Sequence, residues 1–302
     1  MSILSAIGNT PLVELTHLNG NSKVRILAKL EGANPGGSVK DRPAHYMIKK
    51  AEESGILKSD KTILEPTSGN MGIALAMIGS ARGYRIKLCM PECVSMERRR
   101  TLEAFGAEVI LTGSKEGTDG AIIRAHEILK ESPAEYYMPN QFENDANALA
   151  HFETTGPEIV AQTGGEIDAF VAGMGTTGTL MGVARCLKQM VPGAKIVGVE
   201  PPKGHSIQGL KNMKESIVPS IYHPENLDEK VVVKDDEAFD TTRALATREG
   251  VFVGISSGAA MAGALKIAKD MKSGTIVVVL PDRGDRYLST TLFMSTCAKC
   301  PP

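Results

Sequence analysis

The chain has 302 residues, 42% of them hydrophobic and 23% charged, which is typical of a globular protein long enough for two domains or one large α/β domain. Its 34 basic and 35 acidic side chains leave a net charge of −1, so no overall field attracts nucleic acid or a membrane, and 4% aromatic residues without Trp argue against a base-stacking surface. Without a signal-peptide pattern, a membrane-length apolar run or a disulfide framework among five scattered cysteines, the expected location is the cytoplasm.

The first notable stretch, residues 34–43 (NPGGSVKDRP), follows a predicted strand at 24–30 and runs from a turn into a predicted helix. Ser38 is the expected N-cap, with Asp41 three residues later as in a capping box. Lys40 would then lie in the first helical turn, where the positive end of the helix dipole lowers the pKa of an amine and favours a nucleophile. Read alone, the stretch fits an ordinary exposed lysine equally well.

Strands and helices then alternate, which predicts parallel sheets with right-handed crossovers. The predicted strands are 62–66, 86–91, 106–111, 169–172, 196–200 and 275–280. The predicted helices are 43–54, 73–82, 96–105, 119–131, 148–162, 179–189, 236–249 and 259–271. A polar connection at 138–146 marks the expected domain boundary, and residues 203–227 form a long irregular loop of a kind that is often functional.

Three strand-to-helix turns are rich in small and polar residues, and in open parallel sheets ligands bind at such turns. Residues 173–179 (GMGTTGT) combine glycines, hydroxyls and a helix start, which predicts a phosphate cup, although a tight turn packed for its own sake is the alternative. Residues 67–72 (TSGNMG) suit a carboxylate or an aromatic oxyanion, and residues 254–260 (GISSGAA) place hydroxyls at another helix start. Each of these two turns could equally be only a helix cap.

A lysine in a turn, a phosphate cup and two hydroxyl-rich turns suit a cofactor with an aldehyde, a phosphate, a ring nitrogen and a ring hydroxyl. Pyridoxal 5′-phosphate (PLP) has these groups and binds an enzyme lysine as a Schiff base. The sequence therefore predicts a PLP site with Lys40 as that lysine. No metal is expected, because Cys297 and Cys300 lie near a chain end with no second pair and are interpreted as free thiols.

Over nearly its whole length the sequence resembles the cysteine synthase (O-acetylserine sulfhydrylase) family of fold type II PLP enzymes. The motifs that carry the resemblance are 8–12 (GNTPL), 34–42, 67–70 (TSGN), 141–144 (QFEN), 155–159 (TGPEI), 175–179 (GTTGT) and 254–258 (GISSG). The B-type branch of the family is matched best, on Thr177, on residues 97–99 and 156–158, and on residues 282–290 (DRGDRYLST).

The resemblance implies an α/β fold of two domains, each with a largely parallel sheet flanked by helices, and PLP in the cleft between them, as in tryptophan synthase β-like enzymes. The larger, PLP-binding domain would comprise residues 1–38 and 147–302. A smaller, mobile domain, residues 39–146, would hold the substrate carboxylate. The implied partners are an amino-acid substrate, a sulfur donor and a second copy of the chain.

The resemblance also implies roles for individual residues. Lys40 would carry PLP and then act as general base and acid, Asn70 would contact the ring 3′-oxygen, and Ser256, with Asp282 as second candidate, would face the ring nitrogen. The phosphate would be held by Gly175, Thr176, Thr177, Gly178 and Thr179, and the substrate carboxylate by Thr67, Ser68, Gly69, Met71 and Gln141. Met71 replaces the threonine usual in the family, so it would contribute only its backbone N–H.

The implied reaction is a β-replacement, in which O-acetyl-L-serine or another activated serine reacts through an aminoacrylate intermediate with sulfide to give L-cysteine. The alternatives are a synthase that uses O-phosphoserine or thiosulfate, a cystathionine β-synthase-like enzyme, a serine or threonine dehydratase, and a catalytically silent PLP-binding regulator. Lys211 stands near the position of the paired arginines of B-type enzymes and lacks their bidentate fork, which weakens the case for thiosulfate.

Overall fold

The computed structural model describes residues 1–67 and 69–293, and the strands of this part form two sheets. One sheet has six strands in the order β1-β2-β10-β7-β8-β9, and the other has four in the order β5-β4-β3-β6. Every neighbouring pair is parallel except β1 and β2. The strands are β1 (Leu12–Leu15), β2 (Val24–Leu30), β3 (Thr62–Pro66), β4 (Arg85–Pro91), β5 (Glu108–Thr112), β6 (Tyr136–Tyr137), β7 (Ala169–Gly173), β8 (Lys195–Glu200), β9 (Glu229–Val232) and β10 (Gly274–Leu280).

The helices of the described residues flank these sheets. They are α1 (Asp41–Glu53), α2 (Asn70–Arg82), α3 (Met96–Ala104), α4 (Gly117–Glu131), α5 (Ala146–Ala150), α6 (Gly156–Thr163), α7 (Gly178–Met190), α8 (Asp235–Glu249) and α9 (Ile255–Asp270). A π-helical turn, His151–Thr155, joins α5 to α6. No helix in residues 1–67 and 69–293 combines the length and apolar character needed to cross a membrane.

The predicted α/β alternation is confirmed, with shifts at the ends of elements. The short strands β6 and β9 were not predicted, because two and four residues carry too little periodicity. Helix α9 begins at Ile255 rather than 259, and α2 begins at Asn70 rather than 73. Both hydroxyl-rich turns therefore continue directly into the first turn of a helix.

The central strand β10 shows how the larger sheet buries both faces. Ile276 and Val278 pack into one hydrophobic cluster with α8 and α9, while Val277 and Val279 pack into the cluster on the opposite face with α6 and α7. A strand covered on both faces needs apolar residues at every position, which explains the unbroken apolar run in the sequence. Strand β3 does the same in the smaller sheet, with Ile63 on one face and Leu64 on the other.

A buried ionic network holds the start of α1 against the larger sheet. The Arg42 guanidinium donates to Glu31, which follows β2, at 2.7 and 2.8 Å, and to Glu158 of α6 at 2.6 and 2.8 Å. Lys29 of β2 donates to the same Glu158 at 2.8 Å. Arg42 is 1% exposed and Glu31 is fully buried, so the charges depend on one another for compensation. These contacts fix the backbone two residues beyond Lys40.

Replacing Arg42 with Met should lower the free energy of unfolding by about 3 kcal/mol or more, because Glu31 loses its cation and stays buried. Urea denaturation followed by circular dichroism measures this loss. The matched control is Arg25→Met, because Arg25 pairs with Glu14 on the surface and its side chain is 54% exposed. A similar midpoint for both variants would contradict the assignment of the network as a fold anchor.

Candidate active site

A cavity lies where the carboxyl ends of strands from both sheets face each other. It is bordered by residues that follow β3, β7 and β10 and by the starts of α1, α2, α7 and α9. The empty space within it is about 980 Å³ when the open solvent at its mouth is included. The helix N-termini at its border turn backbone N–H groups toward this space, so the cavity favours anionic ligands.

Lys40 reaches the cavity from a segment anchored on both sides. Ser38 forms a β-bridge with Asp282, and the Val39 N–H donates to the Pro281 carbonyl oxygen at 2.8 Å. The expected cap was wrong: Lys40 itself occupies the N-cap position of α1, and the Ser38 hydroxyl accepts from the Lys40 N–H at 3.3 Å. The Asp41 carboxylate accepts from the Gly36 N–H instead of completing a capping box, since the loop turns back on itself there.

The Lys40 amine has a lowered pKa. Its side chain faces the cavity and keeps some exposed surface, but protein atoms surround it, and this burial lowers the pKa to about 8. The negative charge of Asp282 opposes the shift and keeps it from going further. A substantial fraction of the amine is therefore neutral near physiological pH, which is the state needed for a nucleophile or a general base.

The turn between β7 and α7 has the geometry of an anion cup. Thr177, at the N-cap of α7, has φ 67° and ψ −5°, a left-handed conformation that is unfavourable for a residue with a branched side chain. Its hydroxyl is buried and has no hydrogen-bond partner within residues 1–67 and 69–293. A phosphate group at this helix N-terminus would accept hydrogen bonds from the buried hydroxyl and from backbone N–H groups. Its binding would account for both the strained backbone and the unpaired hydroxyl.

Asn70 and Ser256 lie on the wall near Lys40. The Asn70 amide donates to Asp282 Oδ2 at 2.7 Å, and its carbonyl oxygen accepts from Arg286 Nη1 at 2.5 Å, so both ends of the amide are oriented. Tyr287 also donates to Asp282 Oδ2, at 2.8 Å. Ser256, in the first turn of α9, is almost completely buried and lines the cavity.

Thr67, Met71 and Gln141 line the opposite part of the cavity. The Thr67 hydroxyl oxygen accepts from the Gly69 N–H at 3.0 Å and the Gly72 N–H at 3.2 Å, which holds the turn that starts α2. The Met71 side chain packs into the hydrophobic core of the smaller sheet and is 2% exposed. The residue cannot supply the hydroxyl that a threonine would offer here.

The structure thus brings most of the predicted site residues to one cavity. Those on its wall are Lys40, Thr67, Asn70, Met71, Gln141, Gly175, Thr176, Thr177, Thr179 and Ser256. Gly69 and Gly178 stand beside the wall, at the N-cap of α2 and the first position of α7. Ser68, Cys297 and Cys300 lie outside the described residues.

Two polar contacts span the mouth of the cavity and were not foreseen. Arg98 Nη1 of α3 donates to Gln208 Oε1 at 2.5 Å, and the Lys211 ammonium pairs with Asp119 of α4 at 3.2 Å. Gln208 and Lys211 belong to the long loop between β8 and β9, so this loop contacts the elements around the smaller sheet. The only sign of these contacts in the sequence was the length of the loop, because a local sequence pattern does not show which side chains a loop contacts.

His151 of the π-helical turn was also missed. It is fully buried, with Nδ1 2.8 Å from the Thr155 hydroxyl and Nε2 3.2 Å from the Thr179 hydroxyl at the cup. Burial and the nearby positive charges of Arg42 and Lys40 hold the pKa of its imidazole well below the usual range. It therefore contributes a neutral ring to the cup, and its position inside a predicted helix gave no sign of this.

Among the described residues, no group of three or more His, Cys, Asp or Glu side chains is arranged to hold a metal ion. The groups that converge on the cavity are an amine, hydroxyls, amides and helix N-termini.

The comparisons with known proteins agree with this arrangement. A family profile described as pyridoxal-phosphate dependent enzyme matches residues 3–282. Cysteine synthase B of Pseudomonas aeruginosa is 44% identical over 292 residues, which cover 97% of each chain. Among solved structures, O-ureido-L-serine synthase superimposes with a TM-score of 0.93 at 40% identity, covering 99% of this chain and 96% of that one.

Cysteine synthase from Entamoeba histolytica superimposes with a TM-score of 0.90 at 42% identity, covering 96% of this chain and 90% of that one. The chain therefore belongs to the family of pyridoxal-phosphate-dependent enzymes and, within it, to the cysteine synthases.

Proposed function

We propose that this chain forms L-cysteine by β-replacement, exchanging the acetate of O-acetyl-L-serine for sulfide. The observation that carries the proposal is the shared cavity, in which a lysine amine of lowered pKa lies between an anion cup and a turn of backbone N–H groups. The similarity to cysteine synthases supports the same reaction.

The residues present fit PLP. Residues Gly175 to Thr179 would hold the phosphate, because the Thr177 hydroxyl has no hydrogen-bond partner among the described residues and lies at the N-terminus of α7. Asn70 would contact the ring oxygen. Bound PLP supplies an electron-withdrawing ring that stabilises negative charge on the α-carbon of a linked amino acid.

Ser256 is our assignment at the ring nitrogen, in preference to Asp282. The Oδ2 atom of Asp282 already accepts from Asn70 and Tyr287, which supports a role in orienting Asn70. A serine hydroxyl, unlike a carboxylate, does not hold a proton on the ring nitrogen. Serine thus keeps the ring a moderate electron sink, which suits loss of a leaving group from the β-carbon.

Lys40 would move the protons of the reaction. Once its amine is free, Lys40 Nζ would be partly neutral at physiological pH, because its pKa is lowered. Neutral Nζ accepts the α-proton of the substrate, and the resulting ammonium returns a proton when the product forms. The anchors at Val39 and Arg42 limit the movement of Nζ between these two steps.

Substrate orientation would come from the turn after β3 and from Gln141. The backbone N–H groups of residues 67–71, the hydroxyls of Thr67 and Ser68 and the Gln141 amide would bind the α-carboxylate. Gly69 permits the turn with φ 144°, and Met71 would use its N–H alone. Fixing the carboxylate and the amino group leaves the β-carbon facing the mouth, where sulfide enters.

We also infer the organisation of the chain. Residues 1–38 and 147–302 would form a larger PLP-binding domain and residues 39–146 a smaller, mobile one. This division is supported by the sheets, since the strands of the six-stranded sheet lie within residues 12–30 and 169–280 and those of the four-stranded sheet within residues 62–137. The protein would be a cytoplasmic homodimer, as is usual for the family it resembles. Multi-angle light scattering measures the oligomeric state directly.

Replacing Lys40 with Ala should remove the visible absorbance near ~410 nm that a PLP–lysine linkage produces, together with cysteine formation. Lys50→Ala is the matched control, because Lys50 lies on the same helix and its side chain is 50% exposed. The spectrum of the purified variants with added PLP is the measurement. A Lys40→Ala protein that keeps the band would overturn the assignment.

The substrates are tested by O-acetylserine without sulfide. A synthase should show a stable new absorption band and release little pyruvate, whereas a dehydratase should release pyruvate and ammonia at once. Comparing O-acetylserine, O-phosphoserine and serine against sulfide, thiosulfate and homocysteine then ranks the donor and acceptor pairs by kcat/KM. A protein that binds PLP and responds to no amino acid would be a regulator, contrary to the proposal.

The pH dependence of PLP capture by the cofactor-free protein should report the Lys40 amine. Since burial lowers its pKa to about 8, the neutral fraction and the capture rate should rise about tenfold per pH unit below 8 and level off above it. In Asp282→Asn the plateau should begin at lower pH, because the opposing negative charge is gone. A rate that still rises near the pKa of an ordinary lysine would contradict this.

A further inference from the structure

Glu65 is a buried carboxylate for which the reaction has no evident use. It is the fourth residue of β3, it is fully buried, and no lysine, arginine or histidine pairs with it in the described part of the chain. Burial raises the pKa of this carboxyl group to about 7. A leucine would fill such a position without the cost of burying a charge, so stability alone does not explain a glutamate.

Both oxygens of Glu65 accept from consecutive backbone groups. The Asn140 N–H donates to Oε2 at 2.8 Å, and the Gln141 N–H donates to Oε1 at 3.0 Å. Asn140 has φ 51°, a left-handed conformation that aligns its N–H with that of the next residue. The carboxylate therefore holds a turn that is unfavourable by itself, through two charge-assisted hydrogen bonds.

The turn held by Glu65 carries the Gln141 side chain into the cavity. Gln141 Nε2 donates to the Pro66 carbonyl oxygen at 3.2 Å, and the Gln141 carbonyl oxygen accepts from Asn147 Nδ2 at 2.7 Å. Asn147 Nδ2 also lies 3.2 Å from the Thr176 hydroxyl in the anion cup. A continuous set of hydrogen bonds thus runs from Glu65 through Gln141 to the opposite side of the site.

We propose that Glu65 is a positioning residue for substrate binding, because its carboxylate fixes the backbone of Asn140 and Gln141, contacts the Gln141 side chain as well, and so holds the Gln141 amide at the cavity wall where the substrate carboxylate would bind. The inference rests on the proposed function in one respect, since it requires Gln141 to contact the substrate. Thr67 holds the 69–72 turn in a similar way. The end of β3 thus sets both halves of the carboxylate pocket.

The test is a double-mutant cycle of Glu65→Gln and Gln141→Ala in the PLP-loaded protein. A glutamine at position 65 keeps one acceptor oxygen and turns an NH₂ group toward the other N–H, so Gln141 loses its alignment. We expect Glu65→Gln to raise the apparent dissociation constant of O-acetylserine, taken as the concentration that gives half the maximal rate of the spectral change without sulfide, about tenfold. We expect kcat to change less than the dissociation constant, and the melting temperature to stay close to that of the parent.

In the Gln141→Ala background, Glu65→Gln should have no further effect on that dissociation constant. Independent, multiplying effects of the two substitutions, or an unchanged constant in Glu65→Gln alone, would overturn the proposal. Glu108→Gln on strand β5 of the same sheet is the control, because that side chain is 62% exposed and should leave binding unchanged. If Glu65→Gln does not fold, Glu65→Asp serves instead, with a raised constant that disappears in the Gln141→Ala background.

Failure of this inference differs from failure of the proposed function. If the protein is not a synthase, the parent chain itself gives no stable new absorption band with O-acetylserine. If only the role of Glu65 is wrong, the parent responds and Glu65→Gln responds with the same dissociation constant.

Discussion

The burial of Arg42 between two carboxylates is the constraint on which the cavity depends. Its guanidinium satisfies Glu31 and Glu158 together, and Lys29 adds a second cation to Glu158. Such a network stabilises a fold only when every member is present, because each charge left alone would be buried without compensation. It ties the start of α1 to the larger sheet and leaves Lys40, two residues earlier, little freedom to move.

The same device recurs at smaller scale around the cavity, where a buried polar side chain at the end of a strand fixes a turn of backbone N–H groups. Thr67 holds the start of α2, Glu65 holds the turn at Gln141, and Asp282 orients Asn70. A site that binds anions through backbone groups needs such supports, because loops are otherwise mobile. The strand ends therefore supply both the binding groups and the side chains that hold them.

The amine of Lys40 illustrates a balance between two opposing effects. Burial favours the neutral form, while the carboxylate of Asp282 favours the ammonium, and the pKa settles at about 8. A deeper burial would leave no proton to return to the product, and a fully solvated lysine would leave no base. The intermediate value serves a group that must accept a proton in one step and donate it in another.

How much the sequence could reveal differs between the fold and the site. The alternation of apolar strands and amphipathic helices is local, and it predicted the two parallel sheets and the chemical character of the turns at 67–72 and 173–179. The short strand β6 was not predicted, and the predicted cap of α1 was wrong, because both features depend on residues that are distant in the chain. The roles of the site residues stay predictions, although most of those residues line one cavity.

The sequence by itself determined the fold class and the cofactor, and it predicted Lys40 as the lysine that binds the cofactor, because each leaves a local pattern of residue types. Only the tertiary structure decided what surrounds them: that Asp282 faces Lys40, that Glu65 holds Gln141, and that the long loop meets α3 and α4 through Gln208 and Lys211. These contacts join residues that are far apart in the chain. Glu65 and Gln141 are separated by 76 positions, the smallest separation, and Lys40 and Asp282 by 242 (282 − 40 = 242), the largest. Burial and hydrogen bonding act on residues that are close in space, and no local pattern records which those are.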